Sequence, residues 1–389
     1  MKTLLTRTIV FLAAVAFAPD GFAGLEEFSG NKNSLQITHD AGLYDDYHAV
    51  YASGTIKNSA TVDSYAADGY NTVFETYEGT KLGAFYSMRN GGGNVSFING
   101  GSVAGAMSFE NLYAGGANTA FKNMGDVALG RTAKFNVFSM HGDTFSFENR
   151  GTVSGQAAGM MNFDCRVDFK NFGVIQKTGS GALLQASGGG VITFESGSVA
   201  DAGGYSEALL DLSNGDFVID VKNGASLTGS MDIQSGSTLI LYSGTSGING
   251  AVNVGAGATV KLFWDGAAFA ANGDFRVDGA NLEIVTADGL FSEADIGTTF
   301  TVMEGVVGSF DSENTKVVSG GHVFGVDLTG GSLSLTYEGA AVPEAAHMAL
   351  ILGAIVLFFL PIQENPLDSG RPSRQKSVEV HLAFVILGS

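Results

Sequence analysis

The sequence predicts an all-β chain wound as a right-handed parallel β-helix, preceded by a signal peptide and followed by a C-terminal apolar helix. Three observations predict it. A strand-period motif recurs every twenty-odd residues, 56 glycines stand against 5 prolines, and hydrophobic residues make up 45% of the chain while charged residues make up 15%. Glycine without proline suits many tight turns in a folded chain, and the apolar fraction is enough for a large core.

The motif places an apolar residue, an Asn or small residue, a Gly or small residue and an aliphatic at i, i+2, i+4 and i+6. It reads Phe97, Asn99, Gly101, Val103; then Phe121, Asn123, Gly125, Val127; then Phe147, Asn149, Gly151, Val153. Phe169, Asn171, Gly173, Ile175 and then Val221, Asn223, Ala225, Leu227 continue it. Looser copies start at Ile56, Ile233 and Val254, and a shortened one at Phe194. A spacing of two puts the marked residues on one face of a strand. The steps from Phe97 to Phe194 are 24, 26, 22 and 25 residues, the length of one coil of a solenoid. Stacked coils would align the phenylalanines into a core column and the asparagines into a ladder of mutually bonded amides. Right-handed winding follows from the chirality rule for parallel crossovers. From Val221 onward the matched positions step by 12 and then 21, which leaves open whether the solenoid is continuous near residue 240.

In chain order, residues 1–23 read as a secretory signal peptide. Lys2 and Arg7 precede the apolar run Ile9–Phe17, and small residues surround Ala23. Residues 24–95 are less regular and are expected to cap the solenoid. Residues 96–290 carry the coils, and 291–339 carry closing strands such as Thr298–Met303 and Gly331–Tyr337. Residues 340–360 hold an apolar segment, and 361–389 form an atypical tail.

Composition excludes several functions. With 39 carboxylates against 20 Lys and Arg, a formal charge of -19, the chain lacks the basic footprint of a nucleic-acid binder. Cys165 is the lone cysteine, so neither an intramolecular disulfide nor a cysteine-pair metal site is available. Residues Asp164, Arg166 and Asp168 are the best candidates for polysaccharide-cleaving chemistry, read as about 7 Å apart on one strand face. An ordinary solvated face with a lateral ion pair is the simpler reading and is preferred. Residues Asp45, Asp46, Tyr47 and His48 could form a metal patch but read more simply as a loop, and His141, Gly142 and Asp143 read as a turn. The glycine runs 91–93 and 188–190 lack the Lys-Ser/Thr of a phosphate loop. No catalytic, cofactor or metal site is expected.

The C-terminal region 298–360 resembles that of bacterial exported proteins carrying a PEP-CTERM sorting signal, whose bodies often resemble autotransporter passenger β-helices. The resemblance rests on Val342, Pro343 and Glu344 followed by the apolar run Ala345–Leu360, with Ala345 where a second proline is usual. It implies secretion machinery and a sorting protease as partners, and a hold on the membrane through residues 345–360. Beyond the apolar run the chain departs from the pattern: Arg371, Arg374 and Lys376 come late, and Val380–Gly388 is apolar again. No set of roughly ten-residue alternating strands follows the coils, so an outer-membrane barrel is not expected. The sequence thus points to a non-enzymatic exported protein of the cell envelope or extracellular matrix, structural or adhesive, with surface polysaccharide as a candidate partner. The alternative is a polysaccharide-active enzyme or carbohydrate-binding protein on the same scaffold.

Overall fold

The computed structural model describes residues 36–340 apart from 40–42, 45–46, 59–60, 63–64, 77, 79–80, 83–84, 91–94, 111–118, 139–143, 244–246, 288, 293–294 and 319–321. The signal peptide, the sorting motif Val342, Pro343, Glu344, the apolar segment and the tail lie outside the described residues. So do Asp45, Asp46, His141, Gly142, Asp143 and glycines 91–93. Regular structure among the described residues is β-strand throughout, and no helix there is long and apolar enough to cross a membrane.

Each coil runs through three strands, and like strands stack in parallel into three sheets. Sheet 1 includes Val95–Asn99, Thr119–Asn123, Thr144–Asn149, Arg166–Asn171, Gly190–Phe194, Phe217–Val221, Thr238–Tyr242 and Thr259–Trp264. Sheet 2 is a 10-stranded stack of short strands, among them Ser102–Val103, Thr152–Gly155, Val174–Lys177 and Ser226–Thr228. Sheet 3 includes Met107–Glu110, Phe135–Phe138, Met161–Asp164, Leu184–Ser187, Ala208–Ser213, Ser230–Ile233 and Val252–Val254. Long strands, Tyr47–Asn58, Tyr65–Thr76 and Phe269–Thr286, turn the corner from sheet 3 to sheet 1 and join the two into one 23-stranded sheet.

Matched positions on sheet 1 run Ile56, Phe74, Phe97, Phe121, Phe147, Phe169, Ile192, Ile219, Leu239, Val260 and Leu282, each paired with the next, and from Phe97 on they form an interior column. The solenoid is therefore continuous through residue 240. It also begins earlier than expected: pairing of Gln36–His39 with Thr55–Asn58 brings the region expected as a cap into the same stack. The copies starting at Ile233 and Val254 belong to a different corner, where sheet 3 passes into sheet 1, which accounts for the 12-residue step.

The solenoid has two halves with different corners. In the first, Asn99, Asn123, Asn149 and Asn171 are fully buried where sheet 1 turns toward sheet 2. Thr76 Oγ1 donates to Asn99 Oδ1 at 2.7 Å, and Asn99, Asn123 and Asn149 each donate through Nδ2 to the next Oδ1 at 2.8 Å. Asn171 Nδ2 ends the ladder on the Val199 carbonyl at 3.0 Å. A Cβ on Gly151 would lie 1.9 Å from the Gly125 carbonyl oxygen, so the residue two after each asparagine must be glycine. In the second half the partner of Asn171 is Phe194, then Val221, then Leu241. Asn223 is therefore not a ladder member: it is exposed in a turn, Lys222–Ala225, closed by the Ala225 N–H to the Lys222 carbonyl at 3.1 Å with Gly224 at φ 86°. The matching turn at Glu195–Ser198 has Gly197 at φ 79°. These turns need two more residues than the asparagine corner, and the sequence motif hides that slip because its aliphatic end still lands on sheet 2.

Core packing changes at the same place. Phe97, Phe121, Phe147 and Phe169 face Phe109, Phe135 and Phe163 of sheet 3, with Phe135 edge-on to Phe147 at 5.3 Å and Phe147 stacked on Phe169 at 4.7 Å. Burying each such ring contributes about 1.5–3 kcal/mol. Beyond Ile192 this column is aliphatic. The C-terminal end closes with Thr299–Val318, parallel to Phe269–Thr286, and an antiparallel pair, His322–Thr329 and Ser332–Ala340. Trp264, Phe291, Phe300, Phe324 and Tyr337 pack beneath it, and His322 Nδ1 lies 2.8 Å from Tyr337 Oη.

Candidate functional surface

The residue between each phenylalanine and asparagine points outward, and stacking lines these residues up across sheet 1. In register they read Ile98, Lys122, Glu148, Lys170, Thr193 (buried beneath its neighbours), Asp220, Ile240, Lys261, Glu283 and Lys316. No two like charges are neighbours in this column. Lys122 pairs with Glu148 at 3.2 Å and Lys261 with Glu283 at 2.8 Å. Partial burial pushes the Glu148 carboxyl up, but hydrogen bonds from Arg150 and Lys122 outweigh it and hold the group below its ordinary value. Opposite charges at matched positions favour this register, because a slipped coil would break the pairs.

The next outward column follows the corner toward sheet 2. Arg150 lies over the Phe172 ring at 4.1 Å, and Lys222 over Tyr242 at 4.6 Å. Tyr242 and Phe263 stack at 5.0 Å and 10°. Lys222 also bonds Asp220 and Tyr242 Oη, both at 2.7 Å; burial lowers its pKa, and these partners raise it above the ordinary value. The ring faces are thus occupied by one another and by cations.

The candidate trio does not share a strand. Met161–Asp164 ends in sheet 3, the chain bends at buried Cys165, and Arg166–Asn171 begins sheet 1. Asp164 therefore belongs to a different face from Arg166 and Asp168. Asp164 Oδ1 accepts from Ser187 Oγ at 2.7 Å, and Asp168 pairs with Lys170 at 3.1 Å. Burial pushes the Cys165 thiol up to about 12, with Asp164 adding to the rise, so it stays protonated and unreactive. Glycines 188–190 form the corresponding corner one coil on. Among the described residues no group of three His, Cys, Asp or Glu is placed to hold a metal ion.

Lys177, at the end of its sheet 2 strand, is buried at 1% exposure and donates to the Gly179 carbonyl. Burial pulls its pKa below the ordinary lysine value, against the attraction of Glu207 and Asp201.

Among the described residues, shallow depressions mark the outer surface. One, of about 450 Å³, has a floor of backbone at Gly100, Gly101, Gly125 and Gly151. Another, of about 340 Å³, lies on sheet 3 and is lined by side chains, including Phe138, Asn162, Asp164, Gln185, Asp211 and Ser213. Of these only Asp164 was singled out from the sequence, and with other partners, because the lining comes from four coils. The period-two polar positions of the sheet 3 strands were the available signal.

Fold and surface define a class: a parallel β-solenoid whose outward groups bond one another both along a strand and across coils. The chain matches no protein-family model, and no curated protein and no solved structure is similar enough to count as a match.

Proposed function

We propose that this is an exported, non-enzymatic protein of the cell envelope or extracellular matrix, structural or adhesive, working through an extended surface. The observation that carries the reading is the unbroken stack with its charge-alternating outer column. Ten strands in sheet 2, at about 4.8 Å per step, give a face about 43 Å long with side chains fixed at regular intervals. Such a surface suits repeated shallow contacts with an extended partner. Right-handed winding, by the crossover rule, belongs to the same reading.

Residues 1–23 supply the export signal, and Val342, Pro343 and Glu344 with the apolar run 345–360 supply a sorting signal and a membrane hold, on the strength of the PEP-CTERM resemblance. Secretion machinery and a sorting protease are the partners this route requires. Intact-mass analysis of envelope and medium fractions from the native host tests it. A mature species running from about Gly24 to about Pro343 supports export and sorting. Recovery of only the full chain from Met1 to Ser389 in the cytoplasm would overturn both.

A further inference from the structure

We propose that the outer face of sheet 3, from Phe138 to Asn214, binds a neutral, hydroxyl-rich polysaccharide laid across successive coils. The inference deepens the extended-surface reading and rests on it.

The depression there crosses four strands, ending in Phe138, Asp164, Ser187 and Ser213, so it spans about 14 Å along the stack. That is room for a short run of sugar rings. Gln185 Nε2 donates to Asp211 Oδ2 at 2.7 Å, as Ser187 Oγ does to Asp164 Oδ1. Each carboxylate therefore keeps its second oxygen without a protein partner among the described residues. Both aspartates are exposed, and the two hydrogen bonds hold them in place, so little side-chain freedom is lost when a ligand arrives. Carboxylate oxygens accept from sugar hydroxyls, and the amides of Asn162 and Gln185 both donate and accept. Phe138, 37% exposed at one end, offers an apolar ring to the C–H face of a pyranose. A few fixed polar groups beside one aromatic is the pattern of a ligand site.

Charge selects among polymers. Among the described residues the lining includes Asp164 and Asp211 but no lysine or arginine, and the chain carries a formal -19, so a polyuronate would be repelled. A neutral chain meets no such barrier.

The test is affinity electrophoresis of the purified full chain in gels containing dextran, galactomannan or hydroxyethylcellulose, with alginate as the anionic comparison. The expected result is retardation by at least one neutral polymer and none by alginate. Phe138→Ala and Gln185→Ala should each weaken binding about tenfold, a 1.4 kcal/mol effect, while Lys170→Gln on sheet 1 leaves it unchanged. Thermal melting of each variant separates lost binding from lost fold. No retardation by any neutral polymer, equal retardation of Phe138→Ala and Lys170→Gln, or preferential binding of alginate would overturn the proposal. None of these results touches the export reading, which the fractionation decides separately.

Discussion

Replacing Asn123 by leucine removes a middle rung of the buried amide ladder while nearly keeping side-chain volume. Asn149 Oδ1 loses its donor, Asn99 Nδ2 loses its shortest bond and keeps only longer ones to the Gly101 and Asp126 carbonyls, and the Gly125 and Thr152 carbonyls lose the Asn123 amide. Asn99 and Asn149 are 0% exposed, so water cannot replace the lost bonds without opening the corner. Orphaning Asn149 Oδ1 costs about 1–3 kcal/mol and each other broken amide bond about 0.5–1.5 kcal/mol, so the variant should lose about 2–5 kcal/mol. Asn171 is the last rung and has one ladder neighbour, Asn149, before the Val199 carbonyl. Asn171→Leu orphans no amide oxygen and leaves Asn149 Nδ2 its bond to the Val174 carbonyl, so it should cost about half as much. Urea denaturation followed by circular dichroism and by tryptophan fluorescence measures both, and coincidence of the two probes checks that one transition is being read. A loss under about 0.5 kcal/mol for Asn123→Leu, or equal losses for the two variants, would refute the ladder as a stabilising element.

The two kinds of glycine should separate on substitution by alanine. Gly151→Ala drives a Cβ to 1.9 Å from the Gly125 carbonyl and should cost about 3 kcal/mol or more, whereas Gly197→Ala, with open space at φ 79°, should cost only about 1–2 kcal/mol of left-handed strain. Glu148→Lys would set three lysines side by side at 122, 148 and 170; melting curves should show a loss of about 1 kcal/mol at low ionic strength, mostly recovered in about 1 M salt. Lys177 has a folded-state pKa below its unfolded value of 10.5, so the unfolded chain binds more protons in the window between the two. Stability of the native protein should therefore rise with pH up to 10.5 through this group, and the rise should be absent from Lys177→Met, so that it remains in the difference between the two curves.

Much of the fold was legible because the first half of the solenoid repeats one corner. Phe, Asn, Gly and an aliphatic at spacing two mark a strand, a buried amide, a close backbone approach and a second strand. Phe97 through Asn171 fall into register for that reason. Phe194 and Asn223 mislead, because a glycine turn two residues longer replaces the asparagine corner while keeping Gly and an aliphatic at similar offsets. Periodicity counts residues, and it cannot see that the strand has moved by two while the next strand has not. The outward columns were harder to read: Lys122, Glu148 and Lys170 were in view within the motif, but their alternation means something only once the coils are stacked. The apparent grouping of Asp164, Arg166 and Asp168 failed for a local reason, the bend at Cys165, where alternation continues through a corner without a change of pattern.

The central claim is that one stack continues through the change of corner with Lys170 beside Thr193. The motif alignment, which sets Phe194 beneath Phe169, would instead set Lys170 beside Glu195. Paired cysteines in a Cys165→Ala background distinguish the two registers directly. Oxidation should close a disulfide in the Lys170→Cys/Thr193→Cys chain, with native circular dichroism retained, and leave Lys170→Cys/Glu195→Cys as free thiols. Preferential closure of the second pair, or of neither, would contradict the continuous solenoid described above.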